Sequence, residues 1–228
     1  MLHRLDDIPV NATVEQALKR LRIEEAEDVA IVSELFERAK AVARPKAIYR
    51  EAYIDSVNGS DVVISGRAFD SNVLAMNLEK VHRVFAYVCT CGTEVDDWSH
   101  AETDYVTSLW LDMIKEMFLF DAVIFLREYI KKAYGFEKIS TVNPGSGNAE
   151  NWPISQQVGL FGLIGDVKRE IGVTLKDSFL MVPIKSTSGL IFPSETEFVN
   201  CALCGRENCP GRRAEFDAEL YGKAFNKG

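Results

Sequence analysis

The chain lacks several things, and each absence removes a class of protein. No apolar run reaches the roughly 20 residues that span a bilayer; the longest, Met117 to Leu126, is interrupted by Asp121. A helix-anchored membrane protein is therefore not expected. A secretory leader is not expected either, because the opening Met1-Leu2-His3-Arg4-Leu5-Asp6-Asp7 turns acidic at once and holds no apolar core. The cytoplasm is the expected compartment. There is no basic surplus: 34 acidic against 26 basic side chains give a net charge of −8, which repels a phosphate backbone and argues against nucleic-acid binding. The chain has no internal repeat and no low-complexity tract. Nor does a glycine-rich loop follow an early strand, which argues against an ordinary small-molecule methyltransferase.

Histidine is scarce, with only His3, His82 and His100, and cysteine comes as an odd count of five. Five thiols cannot form a full disulfide set, and in a reducing compartment clustered cysteines read as ligands or redox groups. What remains is ordinary: 228 residues, 47% apolar and 26% charged, enough for one sizeable core.

Helical spacing runs from Thr13 to Arg22, with Asn11 or Thr13 available as a cap, and again from about Glu27 to Ala43, ahead of Pro45. Ala47 to Ser56 and Asp61 to Ser65 read as strands joined through Asn58-Gly59, a strong hairpin signal. Ser71 caps a helix through Leu78, and Arg83 to Thr90 is an apolar strand ended by Cys91-Gly92. Asp104 to Tyr134 reads as one long helix closed by Gly135. A strand leads to the Pro144 turn, a helix spans Ser155 to Ile171, and short strands cover Ser178 to Ile184 and Leu190 to Phe192. Strands and helices mix without strict βαβ alternation, so the expected class is α+β with a twisted, largely antiparallel sheet. Residues 1–44 form an expected helical extension, and residues 45–228 the main domain.

Four features carry candidate chemistry. Asp121 sits in Met117-Phe118-Leu119-Phe120-Asp121-Ala122-Val123-Ile124-Phe125-Leu126. A carboxylate in such surroundings must be paired, protonated or facing a cavity; it binds an ammonium or sulfonium, holds a backbone amide, or forms a plain ion pair. The turn Asn143-Pro144-Gly145-Ser146-Gly147 lets a ligand approach exposed amides, or is simply a turn. Lys185-Ser186-Thr187-Ser188-Gly189 offers hydroxyls and amides to an anion, or only connects strands. Cys201, Cys204 and Cys209 can wrap zinc or an iron–sulfur cluster, with a fourth ligand from Cys89, Cys91, water or substrate; otherwise they form a cysteine-rich turn. Arg212-Arg213 closes this run and suits an acidic partner or a phosphate.

From the Pro144-Gly145 turn onward, the sequence resembles the activation domain of cobalamin-dependent methionine synthase, and more closely the stand-alone relatives found with corrinoid methyltransferases. Trp152-Pro153, the helix Gln156 to Gly172, the strand Ser178 to Pro183, Ser186 to Gly189, and Phe192 carry the resemblance. It implies a single α+β domain that reductively reactivates a corrinoid, with S-adenosylmethionine giving a methyl to Co(I). It implies a ligand cleft using Asp121, the backbone of Pro144 and Gly145, Ser186 and Ser188, with Phe198 as the aromatic ring. The cobalamin would ride on a separate corrinoid-binding protein or cobalamin-dependent methyltransferase, met by a broad concave face. A non-catalytic, metal-stabilised docking module for such a protein is the alternative. Two departures stand out. Thr141 occupies the place of an arginine that pairs with the carboxylate of S-adenosylmethionine, and the cysteine run is an addition that points to delivery of an electron.

Overall fold

The computed structural model describes residues 1–146, 151–195, 198, 200–208, 212 and 214–225. The chain opens with β1 (Leu2–Leu5), then α1 (Val14–Leu21) and α2 (Ala26–Val42). A reciprocal cap starts α1: Gln16 N donates to Thr13 Oγ1 at 3.3 Å, and Thr13 N donates to Gln16 Oε1 at 3.0 Å. α2 stops short of Pro45, since a residue before proline is pushed out of the helical region. A meander follows, of β2 (Lys46–Asn58), β3 (Asp61–Ile64) and β4 (Arg67–Asp70), turning at Gly59 with φ 64°. β2 serves two partners. Its first part pairs with a later strand, and its last part pairs with β3 beyond a register shift at Ile54/Ser56.

The remaining elements are α3 (Asn72–Leu78), β5 (Arg83–Thr90), α4 (Thr93–Ser99), α5 (Tyr105–Tyr134), β6 (Ile139–Val142), α6 (Gln157–Ile164), α7 (Val167–Ile171), β7 (Thr174–Leu175), β8 (Met181–Val182), β9 (Ser186–Pro193) and α8 (Ala218–Phe225). The sheet order is β4-β3-β2-β5-β9-β6 with β1 on β2, and every pairing is antiparallel. The α+β reading with a largely antiparallel sheet is thus the observed one. Among the described residues, no helix is long and apolar enough to cross a membrane.

β5 is buried on both faces. Phe85, Tyr87 and Cys89 enter one core with Phe36, Phe118 and Leu126 from α2 and α5. Val84, Ala86 and Val88 enter the other with Leu74, Leu160 and Ile164 from α3 and α6. Pleating sends alternate side chains to opposite faces, so an uninterrupted apolar strand demands cover on both. The first 44 residues supply part of that cover: β1 pairs with β2 from Leu2↔Arg50 to Leu5↔Ala47, and Ile8, Ala12, Ala17 and Leu35 lie in the α5-side core.

Three expectations are corrected. The helix read over Ser155 to Ile171 breaks into a 3-10 turn at Ile154–Gln156, then α6 and α7, because Gly165 adopts φ 111° and Asp166 caps a new helix by accepting from Arg169 N at 3.1 Å. The strand read over Ser178 to Ile184 shrinks to β8. The serine-rich run is no loop: Ser186 to Gly189 form the first half of β9, paired Thr90↔Ser186 to Tyr87↔Gly189.

Asp121 anchors the N-terminal segment. Its Oδ2 accepts Asn11 N and Ala12 N, both at 2.9 Å. Asp121→Ala strands two amides, one on the buried Ala12. Urea unfolding is expected to show a loss of about 2 to 3 kcal/mol, the scale of hydrogen bonds to a charged group.

Candidate functional site

β6 and β9 run side by side, and the turn after β6 folds back over the start of β9. Asn143 makes the closure: its Nδ2 donates to the Ser188 carbonyl at 2.8 Å and to the Tyr87 hydroxyl at 2.7 Å. Gly145, at φ 72°, donates its N–H to the Trp152 carbonyl at 2.8 Å. Gly189 permits the approach, because a Cβ there would sit 2.4 Å from the Val142 carbonyl and 2.6 Å from Asn143 Nδ2. Trp152 itself is buried, T-shaped against Phe69, and its Nε1 donates to Gln156 Oε1 at 3.2 Å. It is core, not ligand surface.

The result is a cleft of about 420 Å³ that brings Pro144, Gly145, Ser186 and Ser188 together. Asn143, Gln157, Ser186 and Ser188 form its polar side; Ile154, Phe179, Leu180 and Ile184 form its apolar side. None of its described lining residues is charged. Ser186 Oγ donates to Thr90 Oγ1 at 3.0 Å. Ser188 is different: the residue is 2% exposed and its Oγ has no partner. A buried hydroxyl without a partner costs stability, and here it lines a cavity. Gln157 was not singled out in the sequence; a carboxamide heading the otherwise apolar α6 is the signal that marks it. Its Nε2 donates to the Phe179 carbonyl at 3.2 Å.

A second hollow, of about 620 Å³, lies beyond Ile184 against α4 and the start of α5. The buried Lys115 Nζ sits 3.0 Å from Asp96 and 3.2 Å from Asp112, and Lys185 Nζ sits 3.0 Å from Asp112. Burial pushes the Asp112 carboxyl up, but the hydrogen bond and charge of Lys185, then those of Lys115, outweigh it and hold the carboxyl below its ordinary value. The network therefore ties the residue preceding β9 to α5. Between the hollows stands an apolar ridge, with Leu180 59% and Ile184 71% exposed.

Other candidate residues lie elsewhere. Asp121 does not line the cleft, since its carboxylate serves the Asn11 and Ala12 amides. Thr141 is buried in β6, and its Oγ1 accepts from the Arg127 guanidinium of α5. Phe198 donates its N–H to Ser140 Oγ at 2.7 Å and lines a groove at the far end of the sheet. Gly147 and Cys209 lie outside the described residues. Cys201 and Cys204 lie at the 3-10 turn Asn200–Leu203. Cys89 and Cys91 are buried in the α5-side core while Leu203 enters the opposite one, so neither is a fourth ligand for that turn. Burial pushes the Cys91 thiol up to about 12. Among the described residues, no three potential ligands converge on a metal position.

No protein-family model matches the chain, and no curated protein does. Among solved structures, the crystal structure of the MetH reactivation domain bound to AdoHcy aligns at a TM-score of 0.57, over 88% of this chain and 81% of that one. The two are similar in fold. Sequence identity is 14%, so the likeness to the MetH domain speaks for architecture alone.

Two outcomes are expected. Ser188→Ala removes an unpartnered buried hydroxyl and should raise stability by up to about 1 kcal/mol in urea unfolding. The Asp112 link has a carboxyl whose folded pKa is depressed, so its contribution is present above the ordinary carboxylate range and disappears as pH falls through the folded value. Wild type should lose more stability in acid than Asp112→Asn when the two are unfolded in urea across that range.

Proposed function

We propose that this chain reactivates a corrinoid cofactor carried by a separate protein, and that the cleft between the Pro144 turn and the start of β9 is where the substrate complex is met. The observation that carries the reading is the convergence of Pro144-Gly145 and Ser186 to Ser188 on one cleft, within a fold similar to the MetH reactivation domain. A shallow polar and apolar hollow beside an exposed ridge suits a large ligand held mostly by another protein. Asn143, Gln157, Ser186 and Ser188 supply neutral hydrogen-bonding groups; Leu180 and Ile184 supply apolar contact. The partner is a corrinoid-binding protein or a cobalamin-dependent methyltransferase in the cytoplasm.

In the proposed reaction, the partner's Co(II) would take one electron from an external one-electron reductant, and the resulting Co(I) would take the methyl of S-adenosylmethionine, giving methyl-Co(III) and S-adenosylhomocysteine. The AdoHcy bound in the MetH domain structure supports this choice of donor. Cys201, Cys204 and Cys209 are proposed as metal ligands, for zinc or an iron–sulfur cluster.

The uncharged lining of the cleft favours one second reading, a non-catalytic docking module that holds a corrinoid protein without a methyl donor. One experiment separates the two. Reduced protein is mixed with free cob(II)alamin and followed by absorbance, while S-adenosylmethionine binding is measured by calorimetry. Reactivation predicts that both bind, and that Ser188→Trp weakens cob(II)alamin at least about tenfold. Docking predicts cob(II)alamin binding alone. Binding of neither would remove the corrinoid reading.

A further inference from the structure

α5 is apolar on two opposite faces. Leu111, Ile114, Phe118, Ala122 and Leu126 enter the core. Val106, Leu109, Met113, Phe120 and Ile124 recur at helical spacing on the other side, within an arc of about 60° at 3.6 residues per turn. From Val106 to Ile124 this stripe runs about 27 Å. Met113 is half-buried, but Val106, Leu109, Phe120 and Ile124 are each 45% or more exposed. The outward face of a surface helix is ordinarily polar. Near its middle the stripe carries an ion pair: Arg20 of α1 donates to Glu116 Oε2 at 2.6 Å and lays its guanidinium over the Phe120 ring, 5.3 Å from the centroid. A contiguous exposed apolar stripe marks a surface that meets another protein.

Two properties of the stripe fit a second copy of this chain. It reads nearly alike from either end: Val106 lies nine residues before Lys115 and Ile124 nine after, while Leu109 lies six before and Phe120 five after. A two-fold axis joins a surface to itself, with residue i meeting j and j meeting i. An antiparallel copy therefore sets Val106 on Ile124 and Leu109 on Phe120, at both ends of the contact. Charge also has a direction. Glu102 and Asp104 stand at the start of α5, and Lys131 and Lys132 lie in its last turn. This polarity complements the dipole of the helix itself. It also lays the acidic start of one copy along the basic end of an antiparallel neighbour, whereas a parallel neighbour would set like charges side by side.

We infer that the outer face of α5 is the interface of a two-fold dimer, in which the helices of two copies pack antiparallel about an axis near Lys115. Such a contact closes on itself and gives pairs, not filaments. The core face of α5 is filled within one chain, so folding does not wait for the partner, and monomer and dimer exchange with concentration. Leu109 also lines the hollow beside Ile184, so the second copy borders that hollow. The inference goes beyond the corrinoid reading and does not depend on it.

The test is sedimentation equilibrium of the full chain from about 1 to about 100 μM, a range that reads a micromolar Kd. The mass should rise from one chain to two. Ile124→Glu and, separately, Leu109→Glu should each weaken association at least about tenfold, because one substitution enters the contact twice. Both positions are exposed, and each variant should keep wild-type far-ultraviolet circular dichroism. A benzophenone side chain at position 124 should cross-link on irradiation to the start of α5 around Val106. Those positions are about 27 Å apart within one chain, so that product forms between copies. A mass of one chain throughout, growth beyond two chains, or a Kd unchanged in both variants overturns the inference. So do cross-links that miss the start of the second copy's α5, including any that join position 124 to itself.

Discussion

The cleft exists because position 189 has no side chain. Two antiparallel strands normally keep the turn beyond one of them clear of its neighbour's backbone, yet here Asn143 reaches across to the Ser188 carbonyl. A single carbon at Gly189 would meet the Val142 carbonyl and the Asn143 amide well inside contact distance. Remove that allowance and the Pro144 turn must lift away from β9, taking the polar wall with it. The buried Tyr87, which also accepts from Asn143, sets the closure on β5, a strand buried on both faces. The floor of the site is thereby continuous with the core.

The chemistry of the cleft follows from which groups are charged and where. Charge is concentrated next door, in the Asp96, Lys115, Asp112 and Lys185 network, and every member of it is already paired. Such a network holds elements in register; it offers little to an incoming ion. The cleft presents hydroxyls, carboxamides and aliphatic carbon instead.

Local signals were legible where they were self-contained. The long α5 shows its start in Asp104, which accepts Thr107 N at 2.8 Å, and its end in left-handed Gly135. Asn58-Gly59 gave the hairpin, and Ser71 caps α3 by accepting Leu74 N. What depends on a distant partner was not legible. β1 is four residues long, carries His3 and Arg4, and is a strand only because β2 offers it an edge. The serine run read as a loop because polarity hid its pairing with β5. Both halves of the cleft stood out in the sequence, but their meeting required β6 to pair with β9, Val142 opposite Leu190. Asp121 is a partial case: its apolar surroundings signalled a partner, a backbone amide among the possibilities, but which segment supplies it, 109 and 110 residues away, was not legible.

β9 has a further consequence. It is hydrogen-bonded on both sides, to β5 and to β6, with Ile191 turned to one core and Leu190 and Phe192 to the other. Sliding it by a single step would swap those faces and bury each side chain in the wrong layer. The strand therefore behaves as a rigid spacer. Events at its serine end and at its proline end keep a constant separation, and a message can pass between them only by bending the whole layer or travelling through solvent.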